Sequence, residues 1–201
     1  MKNKNHLLTG LLIAVLLFIC GLLIRSQVLP EQTYRQIAKA NVGAWPSMTT
    51  GTGTHFRSIS FVNPGVGFAA STISGNVWKT ENGGTSWSSY TTTGVSPYDI
   101  YFVNELTGWA AGGSGSNGVI AKTTDGGSTW TTQLTDVYAG SSKRFRAIYC
   151  LDSSTCWAVG TIVDIHKTTD GGINWVAQTG SSSYQLLDVY FVDSNTGFVV
   201  G

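Results

Sequence analysis

The stretch KTTDGGSTW, from Lys122 to Trp130, decides the fold because it recurs on both sides along the chain. Related copies are KTENGGTSW, from Lys79 to Trp87, and KTTDGGINW, from Lys167 to Trp175. The tryptophans that close the three copies lie 43 and 45 positions apart. Repeats of forty-odd residues are typical of β-propeller blades, so the sequence predicts a repeat architecture.

A second pattern precedes each turn and consists of an alternating strand, a short turn and an apolar strand. Its copies are FRSISFVNPGVGFAA from Phe56, YDIYFVNELTGWAAG from Tyr98, FRAIYCLDSSTCWAVG from Phe145 and LLDVYFVDSNTGFVVG from Leu186. Each unit then has four strands, A to D, which in the first copy are 59–62, 67–70, 77–80 and a strand from Trp87. Four antiparallel strands make a propeller blade, so we predict an all-β propeller with blades at 56–92, 98–135, 145–180 and, incomplete, 186–201.

The residues of the turn between strands C and D have structural roles. Asp125, Asp170 and, in the first copy, Asn82 can accept hydrogen bonds from the following backbone. The Gly-Gly pair permits the positive φ angles of a tight hairpin. The closing Trp87, Trp130 and Trp175 are expected to cover the hairpins, so these residues fold the blade and perform no chemistry.

The turn resembles the bacterial neuraminidase repeat, or Asp-box, S/T-x-D-x-G-x-T/S-W. Here the matching residues are Thr123, Asp125, Gly127, Thr129 and Trp130, while the third copy has Asn174 at the Thr position. With its strand pairs, the chain from Trp45 onward most resembles the propellers of photosystem II assembly and stability factors. That resemblance implies a non-enzymatic, chaperone-like scaffold for newly made membrane subunits. Sialidases, sortilin-type receptors and xyloglucanases carry the same box, so the box alone does not define a function.

The N-terminus differs from the repeats. Lys2 and Lys4 precede an apolar run from Leu7 to Ile24, which is long enough for one membrane-spanning helix, and Arg25 follows. We interpret 1–25 as a membrane anchor or signal segment, 26–43 as a linker and 44–201 as the propeller repeats. The positive N-terminal charge predicts that the propeller lies outside the cytoplasm. A cleaved signal peptide is the alternative, although the small-x-small site at 38–40 is distant from the apolar run.

The two ends of the repeat region suggest an incomplete ring. Trp45 lies 16 positions before Phe61, as Trp175 lies 16 before Phe191, which predicts a lone D strand at 44–50. The fourth unit stops after its B strand at Gly201. The fifteen predicted strands are too few for a ring of six to eight blades. We therefore expect the N-terminal part of a longer protein, or a subunit that closes by association.

Two cysteines replace residues that the other repeats share. Cys150 stands where the other units have Phe61, Phe102 and Phe191, and Cys156 stands where they have glycine. On facing strands of one hairpin in an exported domain, the pair is expected to form a disulfide. A redox or metal pair is the alternative, but no C-x-x-C and no suitably spaced histidine supports it.

No residue pattern predicts catalysis. The three histidines lack a nucleophile partner, and the chain has no arginine triad in a sialidase context. Asp99 and Asp188 occupy matching positions in strand A, where we expect hydrogen-bonded structural groups rather than a glycosidase pair. We therefore predict no enzyme, no cofactor and no metal site. A net charge of +1 gives no field that would attract nucleic acid.

Recognition is expected on the face that holds the D-to-A and B-to-C connections. Its longest connection is expected at about 132–143 and leads into Lys143, Arg144 and Arg146, while Arg57 starts strand A of the first blade. Exposed arginines beside aromatic residues favour binding of a carboxylate or peptide, whereas Ile59, Phe61, Ile148 and Cys150 should fill the core. The predicted function is protein binding at a membrane surface, with membrane proteins among the candidate partners. The alternative is a carbohydrate-binding or glycosidase propeller.

Overall fold

The computed structural model describes residues 55–71, 75–137, 142–161, 165–178 and 185–201. These belong to the unit Met48–Gly201. The anchor, the linker and the lone D strand predicted from the sequence lie outside the described residues. Within the described ranges the regular structure is entirely β, and no helix there is long and apolar enough to cross a membrane.

In the part of the chain that the structure describes, fourteen strands form three four-stranded antiparallel sheets and one two-stranded sheet, each ordered as in the sequence. Blade 1 contains β1 (Phe56–Phe61), β2 (Gly67–Ser71), β3 (Asn76–Thr80) and β4 (Ser88–Thr91). Blade 2 contains β5 (Ser96–Phe102), β6 (Gly108–Ser114), β7 (Asn117–Thr123) and β8 (Thr131–Asp136). Blade 3 contains β9 (Phe145–Cys150), β10 (Cys156–Gly160), β11 (Ile165–Thr168) and β12 (Val176–Gln178). Blade 4 contains β13 (Asp188–Phe191) and β14 (Gly197–Val200).

The four-stranded antiparallel sheets agree with the all-β fold expected from the sequence, and two differences in strand bounds affect the later argument. Strand β1 begins at Phe56, three residues before the predicted start. Strand β8 continues to Asp136, because its residues pair with β7 as far as Gly118. The connection predicted from about Thr132 to Lys143 is therefore shorter and begins only after Asp136.

Each blade packs its forward face against the rear face of the next blade. The forward face contains the first aromatic residue of strand B, such as Phe68 or Trp157. The rear face contains the last aromatic residue of strand A, such as Phe102 or Phe191, and every second residue before it. Phe68 of blade 1 stacks on Phe102 of blade 2 with ring centroids 3.5 Å apart, and Trp157 of blade 3 stacks on Phe191 of blade 4 at 3.7 Å. Buried apolar clusters fill all three junctions between blades.

The prediction that Ile59 and Phe61 are core residues is wrong. Ile59 is 64% exposed and Phe61 is 46% exposed, whereas Ile100 and Ile148, at the position of Ile59, are 2% and 3% exposed. The reason is that blade 1 has no preceding blade among the described residues. The same prediction is confirmed for Ile148 and Cys150, which lie against blade 2.

A phenylalanine and a glycine face each other where strand A meets strand B in three of the blades. A Cβ atom placed on Gly67 or Gly108 would lie 2.5 Å from the ring of Phe61 or Phe102, so the ring occupies the space of the missing side chain. Blade 3 replaces this pair with the Cys150–Cys156 disulfide, whose residues are direct partners in the β9–β10 register. The predicted disulfide is thus present, and both cysteines are buried.

The three Asp-box turns share one hydrogen-bond pattern. Asp125 Oδ1 accepts from the Thr123 hydroxyl at 2.8 Å and from Thr129 N at 2.9 Å. Asn82 Oδ1 accepts equivalent bonds from Thr80 and from Ser86 N, which explains why an amide is tolerated there. The glycine pairs have φ between 66° and 92°, as the tight turn requires. Hydrogen bonds from Gly83 N, Gly126 N and Gly171 N to the A-to-B turns place both kinds of turn on one face.

Replacing the disulfide by the pair that the other blades use should preserve the fold. We expect the variant Cys150→Phe/Cys156→Gly to have the same melting temperature with and without reductant, whereas reduction should cost the natural protein about 2 kcal/mol. The double alanine variant is the matched control and should be less stable than the Phe/Gly variant, because it leaves a cavity beside Trp109. Thermal melts with and without reductant measure both effects. Equal stability of the Phe/Gly variant and the double alanine variant would contradict the view that the Phe–Gly pair and the disulfide fill the same space.

The Asp-box carboxylates should make the fold sensitive to acid. Hydrogen bonds from Asn174 lower the pKa of Asp170 to about 2, and those from Thr129 lower the pKa of Asp125. Since the pKa in the folded state lies below that in the unfolded chain, the stabilisation is complete above about pH 4 and is lost as the pH falls towards 2. We expect Asp125→Asn/Asp170→Asn to fold and to lose less stability over this window. Unfolding in urea at a series of pH values measures the difference, and identical pH profiles would contradict the assignment.

Candidate functional site

The first half of strand A contains a β-bulge in each of the three complete blades. The register shifts between Phe56 and Ser58, between Pro97 and Asp99, and opposite the step from Val159 to Gly160. The extra residues at these bulges are Arg57, Tyr98 and Arg146. A bulge turns the extra side chain out of the regular alternation of the strand, so one residue of each blade is presented in a new direction.

The three bulge residues meet across the blades. The guanidinium carbon of Arg57 lies 4.8 Å from the centroid of the Tyr98 ring, and that of Arg146 lies 4.6 Å from the same centroid. Blades 1 and 3 thus each contribute a cation to the aromatic residue of blade 2. We call this group the Arg–Tyr–Arg stack. Such cation–π contacts stabilise by ~0.5–1 kcal/mol each when exposed, which orders two long side chains that would otherwise be mobile.

One N–H group of the stack has no hydrogen-bond acceptor. Arg146 Nε is buried and has no hydrogen-bond acceptor, and Arg146 makes no ion pair within the described ranges. A buried donor without an acceptor is unfavourable by about 1–3 kcal/mol. An incoming acceptor, above all a carboxylate, would remove that penalty.

The other two predicted cations do not join the stack. Arg144 Nη1 donates to the carbonyl oxygens of Gly115 and Lys143, both at 2.9 Å, so it ties the D-to-A connection to the B-to-C turn of blade 2. Lys143 is 7% exposed and its Nζ lies 2.6 Å from Asp136 Oδ2. His166 Nε2 lies 3.5 Å from the same oxygen. Lys143 is therefore part of a buried ion pair and is not an exposed cation of the predicted recognition face.

Asp99, next to Tyr98, links the innermost strands of three blades. Its Oδ1 accepts from the Ser58 hydroxyl of blade 1, and its Oδ2 accepts from Ile148 N of blade 3 at 2.8 Å. Burial raises the pKa of Asp99, and these hydrogen bonds oppose the rise. The predicted structural role is confirmed, because the carboxylate oxygens are occupied by groups of the neighbouring blades.

Tyr101, Tyr149 and Tyr190 form a column along the inner strands. Their ring centroids are 5.2 Å and 5.0 Å apart, and Ser60 takes the equivalent place in blade 1. The column lines an open cavity of about 420 Å³ together with Asp99 and Asp188. Burial raises the pKa of Tyr101 and Tyr149, so both phenols remain protonated hydrogen-bond donors at neutral pH.

The described part of the chain offers no constellation for metal chemistry, since no three His, Cys, Asp or Glu side chains lie close enough together to hold an ion. Sequence reasoning identified Arg57 and Arg146 but missed Tyr98 and the tyrosine column. The alignment of the repeats contained the signal for Tyr98, because Tyr98 has the same position in its repeat as Arg57 and Arg146 have in theirs. It was missed because the alternation of a regular strand gives no warning of a bulge.

Comparison with known proteins supports the repeat assignment. Residues 90–179 match the family model described as photosynthesis system II assembly factor YCF48. No curated protein sequence gives a significant match.

Solved structures with the same fold include a YCF48 bound to D1 peptide, with 23% sequence identity and a TM-score of 0.52. The likeness covers 64% of this chain and 42% of that one. YCF48 from Cyanidioschyzon merolae has 18% identity and a TM-score of 0.54, with 72% of this chain and 47% of that one covered. The GH74 xyloglucanase from Xanthomonas campestris has 12% identity and a TM-score of 0.56, with 67% of this chain and 24% of that one covered.

The chain thus spans less than half the length of the two YCF48 structures. At these levels of identity all three solved structures show a likeness of fold alone. Together, the family match over residues 90–179, the Asp-box turns and the four-stranded blades show that this chain is similar to the BNR-repeat β-propellers of the photosystem II assembly factor type.

Proposed function

We propose that this chain is a non-enzymatic scaffold that binds a carboxylate-bearing peptide segment of a protein partner through the Arg–Tyr–Arg stack. The observation that carries the proposal is the placement of Arg57 and Arg146 on the Tyr98 ring. Arg57, Tyr98 and Arg146 lie at bulges in three different blades, so the arrangement forms only when the three blades pack together.

The chemistry of the stack fits a peptide carboxylate. A guanidinium that stacks on an aromatic ring uses its face for that contact, so the N–H edge of Arg146 can meet planar, bidentate partners. The buried Nε of Arg146, which lacks an acceptor, adds a hydrogen bond that the bound segment could complete. Tyr98 lies within 5 Å of both guanidinium groups, and tyrosine and arginine are enriched among the residues that dominate binding energy at interfaces.

The comparisons support a peptide ligand. One related propeller of this type has been solved with D1 peptide bound, which makes a peptide the first ligand class to test on this chain. The absence of an enzymatic role is supported by Asp99, since a carboxylate held by Ser58 and Ile148 N is poorly placed to exchange protons with a substrate.

The proposed location is the extracytoplasmic side of a membrane, with the N-terminal 1–25 segment as anchor or signal. The Cys150–Cys156 disulfide supports this location, because structural disulfides form and persist in oxidising compartments. Membrane proteins would then be accessible partners.

Carbohydrate binding is the second candidate. The tyrosine column supports it, since aromatic rings along an open cavity of about 420 Å³ can pack against sugar rings. Glycan binding would use the column, whereas carboxylate binding would use the stack. Variants of the two groups therefore distinguish the candidates.

Removing the stacked arginines should weaken peptide binding without unfolding the protein. We expect Arg57→Ala/Arg146→Ala to lower the affinity for a labelled D1 peptide at least tenfold, because the charged contacts at the site are lost. The melting temperature should change by a few degrees at most, since such partly exposed charges stabilise the fold by under ~1 kcal/mol each. Fluorescence anisotropy titrations at low and high salt measure the affinity, and salt should weaken binding of the natural protein more than that of the variant.

Arg144→Ala is the matched control, because it removes the same charge from an arginine that bonds to Gly115 and Lys143. It should lower stability more than peptide affinity. Equal loss of affinity in Arg144→Ala and Arg146→Ala would mean that net charge alone matters and would refute the stack as the site. The carbohydrate alternative would be favoured if the natural protein bound xyloglucan oligosaccharides but not the peptide, and if Tyr149→Ala abolished the oligosaccharide binding.

The proposed location predicts the oxidation state of the cysteines. When the full chain is produced in a bacterial host, non-reducing peptide mapping should find Cys150 linked to Cys156. A variant that lacks residues 1–25 should remain in the reducing cytoplasm and carry both as thiols. Free thiols in the full chain would count against export.

A further inference from the structure

Strand A of blades 2 and 3 has strand partners on one side only. Strand β5 pairs with β6, and β9 pairs with β10. Amide groups on the other side of these strands need acceptors from elsewhere when they are buried. Side chains of the preceding blade supply them, since Ile100 N donates to Ser58 Oγ at 3.2 Å and Ile148 N donates to Asp99 Oδ2 at 2.8 Å. A side chain at one recurring position thus ties strand A to the blade before it.

A single carboxylate, that of Asp99, connects the three bulges of the candidate site. Asp99 follows Tyr98 directly in β5. Its Oδ1 accepts from the hydroxyl of Ser58, which is the residue after Arg57 in blade 1. Its Oδ2 accepts from the amide of Ile148, two positions after the bulge residue of blade 3. Each bond therefore ends within two residues of one member of the Arg–Tyr–Arg stack.

Apolar packing between the blades does not by itself determine the geometry of the stack. In the described part of the chain, blades 1, 2 and 3 are separate sheets with no strand pairing between them. Apolar clusters fill their junctions. Apolar burial is non-directional, so such surfaces tolerate small displacements, whereas hydrogen bonds weaken steeply when their geometry changes. The bonds of Asp99 therefore fix how far the bulges of blades 1 and 3 lie from Tyr98.

The fold of a blade does not require a carboxylate at this position. Blade 3 has the buried Ala147 there, and its four strands form the same kind of sheet. Burial makes an ionised carboxylate unfavourable and raises the pKa of Asp99. Buried charged groups contribute little net stability, and their best-attested use is to specify one arrangement among several. The arrangement next to Asp99 is that of the three bulges.

We propose that Asp99 is the positioning residue of the Arg–Tyr–Arg stack. Its carboxylate holds the bulges of blades 1 and 3 where Arg57 and Arg146 contact the Tyr98 ring, and the affinity for a peptide carboxylate depends on that placement. Asp99 acts through the two arginines and does not contact the peptide itself. The part of the inference that concerns affinity rests on the proposed function, whereas the placement of the arginines can be measured without any ligand.

Nuclear magnetic resonance of the arginine Nε–Hε groups in the full chain, in a mild detergent, reports that placement. The chain has five arginines, so the spectrum is sparse, and arginine-to-lysine variants assign its signals. The Tyr98 ring shifts the signals of Arg57 and Arg146, and Tyr98→Leu supplies their positions without the ring. Asp99→Ala should move both signals towards those of Tyr98→Leu. The signal of Arg144, which bonds to backbone carbonyls outside the stack, should stay in place.

Two milder variants separate the bonds of Asp99. Ser58→Ala removes the partner in blade 1, so it should move the Arg57 signal and leave that of Arg146 in place. Asp99→Ser should keep the bond to Ile148 N, because Ser58 accepts from an amide of the next blade in the same way. It should therefore restore the Arg146 signal that Asp99→Ala displaces. Both variants also test the proposal if Asp99→Ala does not fold.

Asp152→Ala is the matched control, because Asp152 Oδ1 also accepts from two backbone amides but lies beyond the opposite end of β9. It should lower the melting temperature without moving the arginine signals. Anisotropy titrations with labelled D1 peptide measure the affinity. Asp99→Ala should bind about tenfold more weakly than the natural chain or Asp152→Ala, because two arginines must then be ordered on binding.

The two measurements distinguish the positioning role from the proposed function. Arginine signals that stay in place in Asp99→Ala would overturn the proposal, and so would equal displacement in Asp152→Ala. Displaced signals with an unchanged peptide affinity would overturn the claim that the placement governs binding. A natural chain that does not bind the peptide, with arginine signals that move in Asp99→Ala, would refute the proposed function and support the positioning role.

Discussion

The stacking of one blade's strand-B aromatic residue on the next blade's strand A is the contact on which the rest of the structure depends. A single four-stranded sheet of this size cannot bury its two faces alone, so its stability comes from its neighbours. Phe68 on Phe102 and Trp157 on Phe191 supply the apolar burial that closes the junctions. The facing glycine at each Phe position allows the ring to lie flat on the hairpin, and in blade 3 a disulfide fills the same volume.

The candidate site is formed where strand A departs from its regular alternation. Strand A alternates between the rear face and the forward face, so a regular residue there points into a junction. The bulges at Arg57, Tyr98 and Arg146 release one side chain per blade from that alternation. Because the bulges occur at equivalent positions, the released side chains reach one another across blade boundaries. The propeller therefore builds a site from single residues that are distant in sequence.

The sequence was sufficient for the fold because the repeats carry redundant information. Three Asp-box copies with matched strand pairs determine the order of the strands, and the exchange of Phe and Gly for Cys150 and Cys156 in one copy predicts their pairing. The exposure of Ile59 could not be predicted, since it depends on which blade lies before it and not on its own pattern. The burial of Lys143 was not predicted, because its partner Asp136 lies at the end of a strand that extends beyond its predicted end. Tyr98 required knowledge of the bulge.

The amide groups on the inner edge of strand A explain why the residue after the bulge varies between blades. Ile100 N donates to Ser58 Oγ at 3.2 Å and Ile148 N donates to Asp99 Oδ2 at 2.8 Å, so each amide has an acceptor on the blade before. Blade 3 has Ala147 at this position and offers no acceptor, and Val189 N instead bonds to Asp188 Oδ1 of its own blade. A carboxylate has two oxygens, so Asp99 can accept from an amide of its own strand and from one of the next blade. The hydroxyl of Ser58 accepts from Ile100 N and also donates to Asp99. Backbone hydrogen bonding thus accounts for Asp99 and Asp188, the acidic residues at this position of strand A.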